Sequence, residues 1–393
     1  MKPDAVVVSG AGPAGSVTAL LLARAGVDVR IVERARFPRT KVCGEYLNAG
    51  AVEALARLGA LDDVRTVASG LRGVRLVPAG AAAVALAFPR PALACARAEL
   101  DAVLLAAAVA AGAILEQGRV EDVLVEHGRC TGVRVRTPAG DLEDRPARIV
   151  VGADGIGSVV ARKLGVTAPA ARGAHYAVGG HYAGFEAFDG FVEMYVGGGA
   201  YFALNPLRDG RTNVMVVVPR ARLARWSADV DAGIGGAAAA LAGGARSFGD
   251  AVRIGPRVSI GPLAHRVRRP WAPGAVLVGD AAGFLDPFTG QGVFLALTGA
   301  ERAADAIRAA LRDPAREASA FAEYGRWRDA DVAWRRRLAR AVALLVDVPP
   351  LARRAANRLA RFPDAGTALL DALAGIVPPE RAFRPSVLGR LLA

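Results

Sequence analysis

Apolar residues near the start of the chain predict a strand, a helix and a second strand in close succession. Residues 5–8 form a short valine-rich run, which is typical of a strand buried on both faces of a parallel sheet. A glycine-rich turn follows, and the apolar residues 16–25 predict a helix that ends at Gly26. Residues 27–32 predict the second strand. Together these elements form a βαβ unit, whose crossover is expected to be right-handed.

The pattern then changes along the chain. An alanine-rich helix is expected from Arg97 to about Gly112, and short strands are expected over residues 133–135 and 149–151. Between residues 176 and 218, strand-like segments alternate with turn signals, which predicts the strands and hairpins of an antiparallel module.

A buried strand of the parallel type is predicted again after that module, over residues 275–278. Small residues from Gly292 onward predict a helix directly after it. A further helix is expected over residues 233–244. The remainder of the chain is predicted to be helical, with breaks at the proline pairs 349–350 and 378–379.

These patterns predict an α/β fold in three parts. A Rossmann-like dinucleotide-binding domain is assembled from separated pieces of chain, an antiparallel-sheet substrate domain is inserted into it, and a helical region ends the chain. The predicted boundaries are residues 1–75, 92–174 and 256–310 for the first domain, 76–91 and 175–255 for the substrate domain, and 311–393 for the C-terminal helical region.

The composition excludes several classes of protein. Of 393 residues, 53% are hydrophobic and 22% are charged, which excludes a disordered or collagen-like chain. The longest apolar run, residues 102–115, falls short of the roughly 20 residues that a membrane span requires. The N-terminus lacks the pattern of a secretory signal, and three scattered cysteines predict neither disulfides nor a metal site. We therefore expect a cytoplasmic protein without a metal.

Basic residues outnumber acidic residues by 50 to 37, which gives a net charge of +13. Only three of the basic residues are lysines, so the excess indicates an arginine-rich composition and not a nucleic-acid partner. Residues 326–361 hold ten arginines against three acidic residues. We expect these helices to close a substrate cavity; a basic face for an acidic carrier protein, or a less favoured peripheral membrane contact, is the alternative. The apolar stripes of these helices would be formed by Trp327, Trp334, Leu338, Leu344 and Leu345.

The first turn has the spacing of a dinucleotide-binding loop. Gly10, Gly12 and Gly15 allow a tight turn, close approach of a pyrophosphate to the backbone, and close packing of helix on strand. The phosphates would lie at the helix N-terminus, beside Ala14. Glu33 ends the second strand, where a carboxylate can accept hydrogen bonds from ribose hydroxyls.

Two further segments place a carboxylate after a strand, namely Asp154 with Gly155 and Asp280 with Gly279. In this order and spacing, the three motifs resemble the flavin-binding pattern of the p-hydroxybenzoate-hydroxylase-like flavoproteins over about the first 310 residues. The resemblance implies bound FAD, with Asp280 at its ribityl chain and Arg97 at the flavin. It also implies that Asp154 serves both FAD and a transient NADH or NADPH.

Two more segments are similar to one branch of that superfamily. Residues 37–45, Phe-Pro-Arg-Thr-Lys-Val-Cys-Gly-Glu, resemble a segment of geranylgeranyl reductases and their relatives. Residues 286–293 resemble the loop that passes beside the isoalloxazine ring in this family, where backbone N–H groups stabilise reduced flavin. Cys43 either lines the flavin pocket or is a small buried residue.

The resemblance implies a set of site residues. Catalytic roles are implied for Pro287, Gly290, Gly292 and Cys43. Cofactor contacts are implied for Gly10, Gly12, Ala14, Gly15, Glu33, Arg34, Arg39, Lys41, Gly44, Arg97, Asp154, Gly155, Gly279, Asp280, Gly290, Gly292 and Val293. A nicotinamide cofactor would visit the groove near Arg39, Lys41 and Asp154.

The antiparallel module supplies the predicted substrate residues. Period-2 alternation places Tyr201, Ala203 and Asn205 on one face, where Ala203 leaves room and Asn205 can bond a phenol or a carbonyl. The alternative is that this face packs against another element and the pocket lies elsewhere. His175 and His181 flank the module, and we interpret both as satisfied polar residues and not as acid–base groups.

Departures from related families narrow the function. No lysine lies between Lys41 and Lys163, and the tryptophan motif of flavin-dependent halogenases is absent, which disfavours halogenation. Ala203 and Asn205 stand where archaeal prenyl reductases carry bulky aromatic residues.

We therefore predict an NAD(P)H-dependent monooxygenase that hydroxylates a hydrophobic aromatic or polyketide-derived molecule, free or tethered to a carrier protein. One alternative is a flavin-dependent reductase of carbon–carbon double bonds in a prenyl or polyene chain. Another is a flavoprotein that has lost its catalytic face. The sequence indicates no oligomeric state.

Overall fold

The computed structural model describes residues 4–79, 82–169, 175–226, 229–242 and 251–392. The strands are β1 Asp4–Ser9, β2 Val29–Glu33, β3 Tyr46–Leu47, β4 Ser69–Pro78, β5 Val84–Ala94, β6 Ile114–Gln117, β7 Arg119–Glu126, β8 Arg129–Arg136, β9 Leu142–Gly152, β10 Thr167–Ala168, β11 His175–Ala183, β12 Phe191–Gly197, β13 Ala200–Pro206, β14 Thr212–Pro219, β15 Val252–Ile260, β16 Arg266–Val267, β17 Trp271–Ala272 and β18 Ala275–Leu277.

The helices follow the same numbering along the chain. They are α1 Pro13–Arg24, α2 Ala49–Arg57, α3 Leu61–Val67, α4 Arg97–Ala110, α5 Val159–Lys163, α6 Arg220–Arg225, α7 Val230–Ala242, α8 Gly292–Arg312, α9 Glu317–Asp347, α10 Pro349–Arg361, α11 Pro363–Ala374 and α12 Pro385–Leu392. The last two residues of the helix predicted over 233–244 lie outside the described residues.

The first sheet has the strand order β17-β18-β9-β1-β2-β6, and its central strands are parallel. The valines of β1 are fully buried because helices cover one face and the β7–β8–β9 meander covers the other. Helices α1, α4 and α8 pack together on the helical face. The α/β class and the N-terminal βαβ unit are therefore confirmed.

Helix α1 begins three residues before the predicted start. Pro13 occupies its first position, where a missing N–H costs nothing, and Gly12 is the extended N-cap. The glycine turn is therefore shorter, and the helix N-terminus reaches directly to the edge of the sheet.

The second sheet is mixed, although the strands predicted between residues 176 and 218 pair antiparallel with one another, as expected. Its order is β15-β11-β14-β13-β12-β4-β5-β3, with β12 parallel to β4. It extends beyond the predicted boundaries, because residues 46–47, 69–75 and 256–260 also belong to it. Strand β4 crosses residue 75 without interruption because its pairing with β5 and β12 continues on both sides of that position.

The C-terminal helices pack against the second sheet. Ala356 and Leu359 of α10 form a cluster with Val84 of β5 and Ala365 of α11. Of the predicted apolar stripe residues, Leu338 is buried, Trp334 contacts Phe383 and Leu344 is 58% exposed. The Leu345 side chain lies outside the described residues. No helix in the described part of the chain has the length and apolar character to cross a membrane.

Candidate functional site

A cavity of about 360 Å³ lies between the carboxyl edge of the first sheet and the second sheet. It begins at the N-terminus of α1, passes the 41–44 segment and the start of α8, and ends against α10 and α11. Most of the predicted site residues lie on its wall, namely Gly12, Ala14, Lys41, Cys43, Gly44, Arg97, Gly155, Tyr201, Ala203, Asn205, Gly279, Asp280, Pro287, Gly290, Gly292 and Val293.

The glycine turn has the geometry that its spacing predicts. Gly10 has a φ of +101°, and a Cβ there would lie 2.7 Å from the Ala153 carbonyl oxygen. A Cβ on Gly15 would lie 1.9 Å from the Gly10 carbonyl oxygen, so α1 packs on β1 only with glycine at this position. These two glycines shape the turn and are not among the residues that line the cavity.

Glu33, at the end of β2, stabilises the turn through hydrogen bonds. One carboxylate oxygen accepts the N–H of Ala11 at 2.8 Å, and the other accepts the N–H of Ala35 at 2.8 Å. Each oxygen keeps a further lone pair for a ribose hydroxyl. Arg34, the next residue, is exposed and lies away from the cavity wall, so the structure does not bring it into the site.

A buried ion cluster lies beside the cavity at the start of α4. The Arg97 guanidinium donates to both oxygens of Asp101, at 2.7 and 2.8 Å, and Arg39 lies 3.2 Å from the same carboxylate. Arg39 also stacks on Phe37. Burial, and then the Arg97 charge, lower the pKa of Lys41 on the adjacent wall, while Asp280 acts in the opposite direction. The cluster thus places two arginines around one buried carboxylate, and Arg97 and Lys41 line the cavity.

The two predicted carboxylates occupy different positions. Asp280 lies on the cavity wall in a short 3₁₀ turn after β18. Asp154 lies behind the wall, where its side chain accepts from Ser158 Oγ and from the N–H groups of Val159 and Val160 at the start of α5. Burial raises the pKa of Asp154, and these hydrogen bonds partly offset the rise. The structure thus gives Asp154 a capping role, and its contact with FAD or nicotinamide stays a prediction.

The 286–293 segment brings its glycines to the cavity. Gly290 has a φ of +62° and packs on Tyr46 so closely that a Cβ would lie 2.7 Å from the ring. Its carbonyl accepts from Asn48 at 3.2 Å. Gly292 begins α8 with open space where a Cβ would be, so the helix N-terminus is accessible from the cavity.

Tyr201, Ala203 and Asn205 share the face of β13 that forms the cavity floor, as predicted. The Tyr201 ring meets Phe288 edge to face at 5.0 Å, and burial raises the pKa of its hydroxyl. Asn205 differs from the expectation because both hydrogens of its amide are used, by the carbonyls of Gly44 and Glu45. Only its Oδ1 lacks a partner among the described residues, which limits it to accepting a hydrogen bond.

Three residues that sequence reasoning missed or dismissed, Glu45, Asn213 and His181, also join the site. Glu45 is the last residue of the 37–45 segment. It is buried, accepts a hydrogen bond from Asn213 and pairs with His181 at 2.7 Å. The only sequence signal was the adjacency of Glu45 to Cys43 and Gly44. His181 is partnered, as interpreted, and His175 contacts the carbonyl of Gly199.

The cavity fits an elongated dinucleotide cofactor. The first-turn N–H groups of α1 are free by helix geometry, and a Cβ on Gly12 would meet only the Arg39 side chain, at 3.7 Å, so open space faces them. From there the wall continues past Lys41 and Asp280 to the N-terminus of α8. Diphosphate, ribityl and ring portions therefore each have matching groups along one path.

Comparison with known proteins agrees with this geometry. The FAD binding domain family model matches residues 4–335. Digeranylgeranylglycerophospholipid reductase 2 of Methanopyrus kandleri is 31% identical over 340 residues, covering 82% of this chain and 82% of that protein. Menaquinone reductase of Mycolicibacterium smegmatis is 30% identical over 321 residues, covering 73% and 72%. The solved structure of the flavin-dependent brominase Bmp2 aligns with a TM-score of 0.82 at 22% identity, over 95% of this chain and 94% of that chain.

Proposed function

Because the chain belongs to the FAD binding domain family and is an FAD-dependent oxidoreductase, we propose that it reduces carbon–carbon double bonds in a long isoprenoid chain. The observation that carries this proposal is the shape and chemistry of the cavity. It continues beyond the 41–44 segment into an apolar channel between the second sheet and the C-terminal helices. This favours the reductase alternative over the monooxygenase that the sequence suggested first.

The channel has few groups that would recognise a polar substrate. Its floor is the inner face of the second sheet, and its roof is formed by small and aliphatic side chains of α10 and α11. The floor includes Val74, Leu76, Met194, Ala203, Met215 and Val217, and the roof includes Ala352, Ala355, Leu359, Leu369 and Leu373. A chain of methyl-branched isoprene units matches such walls, and its burial supplies most of the binding free energy.

The residues of this chain would bind FAD and the substrate, orient them and shield them from water. Bound FAD supplies the two-electron redox chemistry. The glycine turn and Glu33 would hold its adenosine diphosphate half, Asp280 and Lys41 would hold the central part, and the N-terminus of α8 would face the ring. Helices α10 and α11, whose apolar residues line the far end of the channel, would shield it from water.

We further propose NADH or NADPH as the source of electrons. Arg39, one of the residues expected to meet the nicotinamide cofactor, is paired with Asp101 and stacked on Phe37. The cofactor would therefore meet the outer side of the cavity near Gly155, bind there transiently and leave.

The C-terminal helices are proposed to close the channel, and their arginines are proposed to attract an anionic carrier of the substrate. Residues 333–392 hold eleven arginines and four acidic residues, an excess of seven positive charges. A substrate with an anionic head group, or one tethered to an acidic carrier protein, would be drawn to this surface.

Monooxygenation remains the second candidate because one observation favours it. Ala203 and Asn205 leave the floor near the aromatic residues Tyr201 and Phe288 open, and a planar aromatic ring could stack there.

Turnover with NAD(P)H under nitrogen and under air tests the proposal. Polyunsaturated isoprenoid lipids, menaquinone and phenolic compounds are incubated with the FAD-bound protein, and products are analysed by mass spectrometry. The proposal predicts products that gain hydrogen atoms only and form without oxygen. Products that require air and gain an oxygen atom would establish the second candidate instead.

A further inference from the structure

A row of polar side chains crosses the otherwise apolar inner face of the second sheet. In register, His181 of β11 lies opposite Asn213 of β14, and Asn213 lies opposite Asn205 of β13. The next row on the same face consists of Gly179, Met215 and Ala203. Both asparagines are almost completely buried. Buried polar residues require hydrogen-bond partners, and the partners of these two asparagines show which segment the row contacts.

The row binds one short segment, residues 43–45, named here the 43–45 turn. The Asn213 amide donates to the Cys43 carbonyl at 3.0 Å and to the Glu45 carboxylate at 2.8 Å. The Asn205 amide donates to the carbonyls of Gly44 and Glu45, each at 2.9 Å. Each amide nitrogen faces two oxygens, so the opposite amide orientation would place oxygen against oxygen.

Glu45 is part of the same arrangement, and its backbone adopts an unfavourable conformation. It has a φ of +56°, a conformation that residues other than glycine seldom adopt. One oxygen of its carboxylate accepts the backbone N–H of Arg97 at 2.8 Å, and the other contacts Asn213 and His181. Six hydrogen bonds from three strands and one helix N-terminus thus fix the shape of the turn.

These hydrogen bonds determine the orientation of the peptide group between Cys43 and Gly44. Its carbonyl is drawn toward Asn213, and in a trans peptide the N–H points in the opposite direction. Gly44 lies on the cavity wall, with open space where a Cβ would be. Within the described ranges its N–H donates to no backbone or side-chain acceptor. A backbone donor is therefore presented to the cavity.

We infer that Asn205, Asn213, His181 and Glu45 are positioning residues that aim the Gly44 N–H at an acceptor atom of the group bound in the cavity. The acceptor is a carbonyl oxygen or a ring nitrogen, which belongs either to the flavin ring or to a carbonyl-bearing substrate. The inference rests on the proposed function because that function places both molecules in this cavity.

The test compares FAD-bound wild-type protein with Asn213→Val, which removes the donor, and with Asn213→Ser, which keeps a hydroxyl donor. Asn357→Ser, on the exposed side of α10, is the matched control. FAD dissociation constants, the flavin absorption spectrum and the flavin reduction potential are measured without substrate, and KM and kcat are measured with it. Glu45→Gln provides a second variant of similar size if Asn213→Val does not fold.

For a flavin acceptor, Asn213→Val is expected to weaken FAD binding about three- to tenfold, as for the loss of one hydrogen bond, and to shift the flavin spectrum and potential. For a substrate acceptor, these flavin properties stay constant and KM rises by a similar factor while kcat changes little. Asn213→Ser is expected to recover part of either effect. Wild-type values for all five measured quantities in Asn213→Val, or in Glu45→Gln where Asn213→Val does not fold, would overturn the inference. Wild-type protein that binds no FAD would instead refute the proposed function.

Discussion

Lys41, which we propose to contact FAD, lowers the stability of the FAD-free protein. Its amine lies at the cavity wall, where loss of hydration and then the Arg97 charge lower its pKa from the ordinary value of 10.5. The folded protein therefore binds fewer protons at this site than the unfolded chain does. Between the lowered pKa and 10.5, the free energy of unfolding of the FAD-free protein rises with pH, and below that window the penalty is fully present.

Lys41→Met is therefore expected to stabilise the FAD-free protein and to weaken FAD binding. Thermal unfolding between neutral pH and about pH 10 measures the first effect, and fluorescence titration with FAD measures the second. The stability advantage of the variant should shrink as the pH rises. Lys163→Met, which removes an exposed partner of Asp122, is the control and should show no such pH-dependent gain. A constant difference across the pH range would contradict the explanation.

Asp101 is the opposite case, a residue that does not line the cavity but pairs with two arginines beside it. It is fully buried and compensates the Arg97 guanidinium, which is itself 6% exposed. Asp101→Asn leaves that cation unpaired, and we expect the free energy of unfolding in urea to fall by about 3–5 kcal/mol. Asp144→Asn, which breaks an exposed pair with Arg134, should change it little. Equal effects of the two variants would show that the buried ion pair contributes no more to the free energy of unfolding than the exposed pair does.

Among the elements, those with local signals could be predicted from the sequence. The turn after β1 requires glycine at positions 10 and 15 for steric reasons, and that requirement is visible as spacing. Helix α8 was expected from Gly292 and begins there. The mixed pairing of the second sheet could not be predicted in this way, because β4 meets β12 more than a hundred residues later and no local pattern marks that contact.

The contact between α2 and α11 depends on one glycine. A Cβ on Gly50 would lie 2.1 Å from the Ala374 carbonyl oxygen and 2.8 Å from the Phe294 ring. Gly50→Ala is expected to destabilise the protein by about 1–3 kcal/mol through overpacking. Gly235→Ala, in α7 with nothing near the added methyl, should be neutral or stabilising by up to about 1 kcal/mol. Urea denaturation of both variants measures the difference, and a stable Gly50→Ala would show that the helices separate freely.

At the scale of the whole molecule, the site is assembled from distant parts of the chain. The Glu45 carboxylate and its partner Asn213 are 168 positions apart, and the channel roof lies a further hundred or more residues along. Periodicity predicted the shared face of Tyr201, Ala203 and Asn205, but it could not reveal that Asn205 is held by the 43–45 turn. The switch from the monooxygenase to the reductase hypothesis follows from this tertiary information.

The channel between the sheet and the C-terminal helices should set the length of substrate that the enzyme accepts. Ala355 of α10 lies on its wall, and Ala355→Trp would fill the far end. We expect kcat/KM for long-chain substrates to fall by more than about tenfold, since the buried apolar area is lost, while short-chain substrates and FAD binding are retained. Ala360→Trp, exposed on the same helix, is the control. A fall in kcat/KM that is the same for short-chain and long-chain substrates would show that the substrate does not occupy this channel.

The most direct test of the account is a single anaerobic mixing experiment. FAD-bound protein is chemically reduced without oxygen and mixed with a polyunsaturated isoprenoid lipid, and the return of the absorbance of oxidised flavin is followed. The account predicts that the absorbance returns in the absence of oxygen, as the double bond accepts the electrons. Flavin that stays reduced with every isoprenoid substrate, and regains its colour only when oxygen is admitted, would contradict it.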